Sequence, residues 1–107
     1  MKLFTKARDG VLYDAHAEFD GKTVVVKKGS KINRINAPGF KPKKTIAELR
    51  NNEALFDDSC LLKDDLAFSS LSMAATFVTG RIANGNIVWK TENGKYVRYS
   101  LGGGGDE

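Results

Sequence analysis

The sequence predicts an α+β domain: an antiparallel sheet of about five or six short strands with two helices packed on one face. Three observations carry this. Apolar residues alternate with polar ones along residues 13–19 and, more weakly, along 2–7, the period of a half-buried strand. The dipeptides Asp9-Gly10, Asp20-Gly21 and Asn93-Gly94 separate such runs as tight turns do. Two further stretches, 45–55 and 71–79, carry apolar residues at helical spacing. A sheet with one apolar face buries it by taking helices on that face.

Leu3, Thr5 and Ala7 share one side of the first strand, and Ala15, Ala17 and Phe19 share one side of the second. After Asp20-Gly21, residues 22–28 hold three consecutive valines and read as a third, central strand of a meander. Residues 29–44 read as a loop containing Pro38, Gly39 and Pro42, and the arm from Ser30 to Lys43, with few apolar anchors, is expected to be the least ordered internal segment. Thr45 and Glu48 have the spacing of a capping box, which starts a helix running to about Leu55. Ile46, Leu49 and Phe56 are its core candidates. Cys60-Leu61-Leu62 and Leu66-Ala67-Phe68 read as one interrupted strand or two short ones. Ser70 caps the next helix, Met73, Ala74, Phe77 and Val78 form its apolar face, and Gly80 stops it. Residues 87–91 and 95–101 flank Asn93-Gly94, the signal of a type I′ hairpin. Residues 1–101 thus form a single small domain, and 102–107 are a flexible glycine-rich tail.

A chain of 107 residues supports one modest core. No apolar run approaches the ~20 residues of a membrane span, and the start Met-Lys-Leu-Phe-Thr-Lys lacks the apolar segment of a signal peptide. The one cysteine, Cys60, excludes an internal disulfide, and a cytoplasmic location is expected. Charge is uneven. Residues 1–50 hold 12 Lys and Arg against 5 Asp and Glu; residues 51–107 hold 5 against 8, leaving the chain at +4. A basic half either meets an anionic partner or only keeps the domain soluble.

The text from Phe68 to Lys90 is the most specific in the chain. Phe68, Ser70, Ser72, Ala74, Ala75, Gly80, Arg81, Asn84, Gly85, Trp89 and Lys90 resemble the signature of a small bacterial domain of unknown function, number 4357. That family is often fused behind GIY-YIG nuclease domains, and it is similar to the RAMA domain, associated with restriction enzymes and adenine methylases. Val24 to Ser30 and Leu49-Arg50 extend the resemblance to about residues 21–101. Three positions depart from the pattern: Leu71 stands for a proline, Met73 for an alanine and Asn86 for a tryptophan.

Catalysis is hard to assemble from these residues. His16 lies opposite the apolar positions of its strand, where a surface role is expected and no partner is evident. One histidine and one cysteine do not supply a zinc site. Asp57-Asp58 and Asp64-Asp65 read as solvated pairs, and the glycine tail lacks the lysine of a phosphate loop. No cofactor, metal or small-molecule substrate is expected.

Binding is easier to assemble. Lys27, Lys28, Lys31, Arg34, Lys41, Lys43 and Lys44 form either a basic arm for nucleic-acid phosphates or a solvated linker. Ser70 and Ser72 sit where helix amides attract an anion, although Ser70 also reads as a plain cap. Arg81 suits a bidentate phosphate or guanine contact, Asn84 a base edge or a turn, and Lys90 a further phosphate. The resemblance implies a non-catalytic nucleic-acid-binding accessory module for double-stranded DNA, of restriction- or nuclease-associated type. The alternative is a protein-interaction module, such as a phage or mobile-element protein that sets its basic face on an acidic surface of a defence or restriction enzyme.

Overall fold

Alternation along the first strands becomes a sheet with one wet and one dry face. The computed structural model describes residues 1–8 and 12–100. The Asp9-Gly10 turn, the end of the expected strand 95–101 and the glycine-rich tail lie outside the described residues. β1 (Lys2–Lys6), β2 (Asp14–Phe19), β3 (Val24–Val26) and β4 (Leu66–Phe68) pair antiparallel in the order β1-β2-β3-β4. The register sets Leu3 against Ala17, Thr5 against Ala15, and Val24 between Phe19 and Phe68. All of these are buried. Lys2, Phe4, Lys6, His16 and Glu18 alternate out to solvent.

The dry face is filled by α2 (Leu71–Thr79), which packs on β3 and β4. Ser70 is its N-cap, its side chain accepting from the Met73 amide at 3.0 Å, and Gly80 ends it at φ +79°. Both agree with the sequence. The expected single apolar face is too narrow, however. Every residue from Ala74 to Thr79 is buried, because α1 (Lys44–Asn51) and a 3-10 turn at Gly85–Ile87 pack on the sides the sheet leaves open. The two threonines stay satisfied: Thr79 Oγ1 donates to the Ala75 carbonyl, and Thr76 Oγ1 accepts from the Ala83 amide.

Four sheet expectations need correction. The sheet has four strands among the described residues, rather than five or six. Leu61 and Leu62 make isolated bridges to Lys31 and Phe56, because Asp57 and Cys60 turn the chain sharply just before them. Cys60 itself takes φ +66°. The hairpin at 87–101 shrinks to bridges at Lys90, and its second arm becomes the short helix α3 (Val97–Ser100). Its turn is not type I′, which needs positive φ at both central residues. Gly94 has φ +79° and Asn93 does not, and the Gly94 amide donates to the Thr91 carbonyl.

α1 also differs from expectation. It begins at Lys44 and ends at Asn51, with Lys43 at its N-cap and no capping side chain. The Thr45–Glu48 box therefore does not form. Asn52 ends the helix early, because its side chain accepts from the Ala54 amide and starts a 3-10 turn at Glu53–Leu55.

The largest correction concerns the arm from Ser30 to Lys43. A helix leaves its last carbonyls without intrahelical partners. The chain from Asn33 to Ala37 supplies them. The amide of Asn33 donates to the Val78 carbonyl, its Nδ2 to the Thr79 carbonyl, and the Ala37 amide to the Gly80 carbonyl, each at 2.9 Å. Arg50 completes the set, Nη1 donating to the Phe77 carbonyl at 2.6 Å. Ile32 and Ser30 are buried too. The stretch expected to be least ordered is the C-terminal cap of the central helix. Gly80 makes room for it: a Cβ there would lie 2.6 Å from the Ile35 carbonyl oxygen.

Candidate nucleic-acid interface

The cations expected to bind phosphate fall into three groups. Two are paired with acids at the surface of the fold. Lys27 Nζ lies 2.9 Å from Asp65 Oδ2, and Arg34 lies 3.1 Å from Glu53 while its guanidinium covers the Phe56 ring at 3.9 Å. Asp65 also accepts from the Lys28 amide at 2.7 Å. That bond, then the Lys27 hydrogen bond and charge, hold its carboxyl below the usual carboxylate range. A depressed folded value stabilises above the unfolded value of 3.8 and is lost as pH falls through the lower folded value. Asp65→Asn should therefore be less stable than wild type at neutral pH, and the two melting curves should converge below pH 3.8. A gap that persists in acid would assign the effect to packing instead.

The second group surrounds the start of α1. Lys41, Lys43 and Lys44 are exposed, and none has an ion pair among the described residues. The helix brings them to its own positive end, with no acidic residue in its first turn and no side chain on its amides. Lys28 is exposed and Lys31 half-buried; the latter's backbone bridges Asp14 and Leu61.

The third group lines an open groove of about 690 Å³ beside β1. Arg81 and Lys90 meet there with Lys6, Phe4, Tyr13 and Tyr96, and Asp14 and Glu92 lie on the same lining. The Gly80 stop sends Arg81 outward, and its guanidinium has no partner among the described residues. The Lys90 backbone bridges Phe4 on one side and Tyr96 on the other, and its Nζ sits 5.0 Å over the Tyr96 ring. Lys6, Phe4, Tyr13 and Tyr96 have no functional signal of their own in the sequence. The alternation of β1 gives only the outward side of Lys6 and Phe4.

The remaining candidates serve the fold. Ser70 caps α2, Ser72 Oγ accepts from the Gly85 amide at 3.0 Å, and the Asn84 side chain accepts from the Asn86 amide. These bonds seat the 3-10 turn on the start of α2. Gly85 is required there, since a Cβ would fall 2.2 Å from the Leu71 carbonyl carbon. Trp89 is fully buried, and its Nε1 donates to the Leu71 carbonyl at 3.1 Å. His16 is exposed, 3.4 Å from Ser30 Oγ through Nδ1. That hydroxyl donates to the His16 carbonyl and accepts from its amide inside the core, which is a structural use of serine. No group of three metal-ligating side chains occurs among the described residues, and none of their helices is long and apolar enough to cross a membrane.

A family model described as a domain of unknown function (DUF4357) matches residues 4–99. No curated protein and no solved structure matches the chain.

Proposed function

The chain belongs to the domain of unknown function 4357 family, and on that premise we propose that it is a non-catalytic nucleic-acid-binding module whose ligand is DNA. The observation that carries this reading is the start of α1. Three ammonium groups, Lys41, Lys43 and Lys44, are gathered at an uncapped helix N-terminus that already favours negative charge. Like charges held against a positive dipole end oppose the fold, and a phosphate relieves both at once. The resemblance to domains that accompany nucleases and adenine methylases supports a duplex from a restriction setting as the physiological ligand.

Neutralising Lys41, Lys43 and Lys44 together should weaken binding to every DNA sequence. The salt dependence should flatten by about 0.9 log–log slope units per lost phosphate contact. Arg81→Ala should weaken binding and alter sequence preference, and Arg81→Lys should not restore it, because lysine lacks the planar fork. A titration of labelled random duplex at two salt concentrations checks this. Absence of wild-type binding at low salt, to the duplex and to its separated strands alike, would sink the reading. It would favour the protein-interaction alternative, for which Ile35 and Ile82, 72% and 65% exposed on the loops next to Arg81, supply an apolar contact.

A further inference from the structure

We propose that the solvent face of the sheet is a stacking platform for unpaired bases, so that the nucleic acid is single-stranded where it crosses Phe4, Lys90 and Tyr96. This rests on the nucleic-acid reading above and departs from the duplex favoured there: the bound strand has unpaired bases.

Residues directly opposite each other in an antiparallel ladder share a face. Phe4 is opposite His16 on one side and Lys90 on the other, and Lys90 is opposite Tyr96. His16, Phe4, Lys90 and Tyr96 therefore form one transverse row on a single face. The ladder bonds agree. Phe4 and Lys90 exchange both amide–carbonyl bonds at 2.8 Å, whereas Lys90 and Tyr96 are a close pair between the bonds of Thr91 to Lys95 and Val97 to Trp89. Phe4 is 40% exposed and Tyr96 37%, although Leu3, one residue away from Phe4, is fully buried. Neither ring belongs to the core, and Lys90 Nζ lies 5.0 Å over one face of Tyr96.

The cations lie where a strand's backbone would run. Lys90 separates the two rings, and Arg81 lines the groove beside them without a partner among the described residues. Lys2 and Lys6 face Glu18 and Asp14 across the ladder, so their charge is partly balanced. Asp14 and Glu92 also line the groove; they disfavour phosphates beside them and leave these to Arg81 and Lys90. A duplex keeps its base faces in its own stack and offers phosphates and edges. Exposed rings gain from a ligand only when base faces are free, and each such stack is worth about 10-fold in affinity.

The test measures fluorescence anisotropy of a labelled thymidine oligomer of roughly 10 nucleotides, within the site size of stacking folds, against a hairpin duplex of equal length. We expect the single strand to bind at least about 10-fold more tightly. Tyr96→Ala should lose about 10-fold on the single strand and little on the duplex, and Tyr96→Phe should keep wild-type affinity. Phe4→Leu, which keeps the apolar bulk of the site, should behave as Tyr96→Ala does, with near-ultraviolet dichroism of buried Trp89 confirming the fold. Neutralising Lys41, Lys43 and Lys44 should weaken both forms alike. A duplex that binds as tightly as the single strand and ignores Tyr96→Ala overturns the platform and leaves the nucleic-acid reading standing. No binding of either form overturns both.

Discussion

Trp89→Ala should cost about 3 to 5 kcal/mol of folding stability, the range for deleting a large buried aromatic. The side chain has no exposed surface, and its indole nitrogen is bonded to the first carbonyl of α2. Its backbone ties three pieces together: the amide donates to the Gly85 carbonyl, and the carbonyl accepts from the Val97 amide. The cavity would open between α2 and the 3-10 turn, where Gly85 already touches Leu71 and leaves little room to collapse. Chemical denaturation should show a lower midpoint at unchanged slope. The effect should reach binding as well, because Lys90 follows Trp89 and its bridges to Phe4 and Tyr96 build the aromatic row. A variant that melts within a degree or two of wild type would show that the indole does not support the core.

Arg50→Ala should cost about 2 to 4 kcal/mol, since bonds from a charged donor are worth ~1.5–3 kcal/mol each and are not additive. Its guanidinium gives Nη1 to the Phe77 carbonyl, and Nε and Nη2 to Asn36 Oδ1 at 3.1 and 2.7 Å. Arg50 is 4% exposed and has no carboxylate partner among the described residues. Burial, and less so the charge of Arg34, pulls its pKa below the ordinary value. What stabilises the cation there is the negative end of α2, whose last carbonyls it helps to cap. Arg50→Lys should rescue little, because one ammonium cannot span Phe77 and Asn36 as a planar fork does. Amide exchange at Asn33 and Ala37 should speed up in both variants, since their carbonyl partners lie on the same helix end. Unchanged exchange at those two amides would show that the loop caps α2 without Arg50.

Much of the fold is legible in the residues. Period-two alternation marks β1 and β2, the valine run marks β3, and Asp20 shapes its turn by accepting from the Lys22 and Thr23 amides. Ser70, the apolar spacing after it and Gly80 define α2 to the residue. These signals are local: a cap, a stop or an alternating face depends on neighbours within a few positions. The cations of the candidate interface are legible as types for the same reason. Their availability is not, because Lys27 and Arg34 meet acids 38 and 19 residues away.

Sequence by itself determined the class of the domain, the central helix with both its ends and the basic character of the first half. Tertiary structure alone decided that residues 33–37 are ordered, that Arg50 is buried, and that Phe4, Lys90 and Tyr96 stand in one row. The reason is the distance over which each is built. Asn33 reaches Thr79 across 46 positions and Arg50 reaches Phe77 across 27. A polar loop carries no periodicity that tells which carbonyls it will cap. The end of α2 has orphan acceptors wherever it lies; folding brought this loop to them and ordered it.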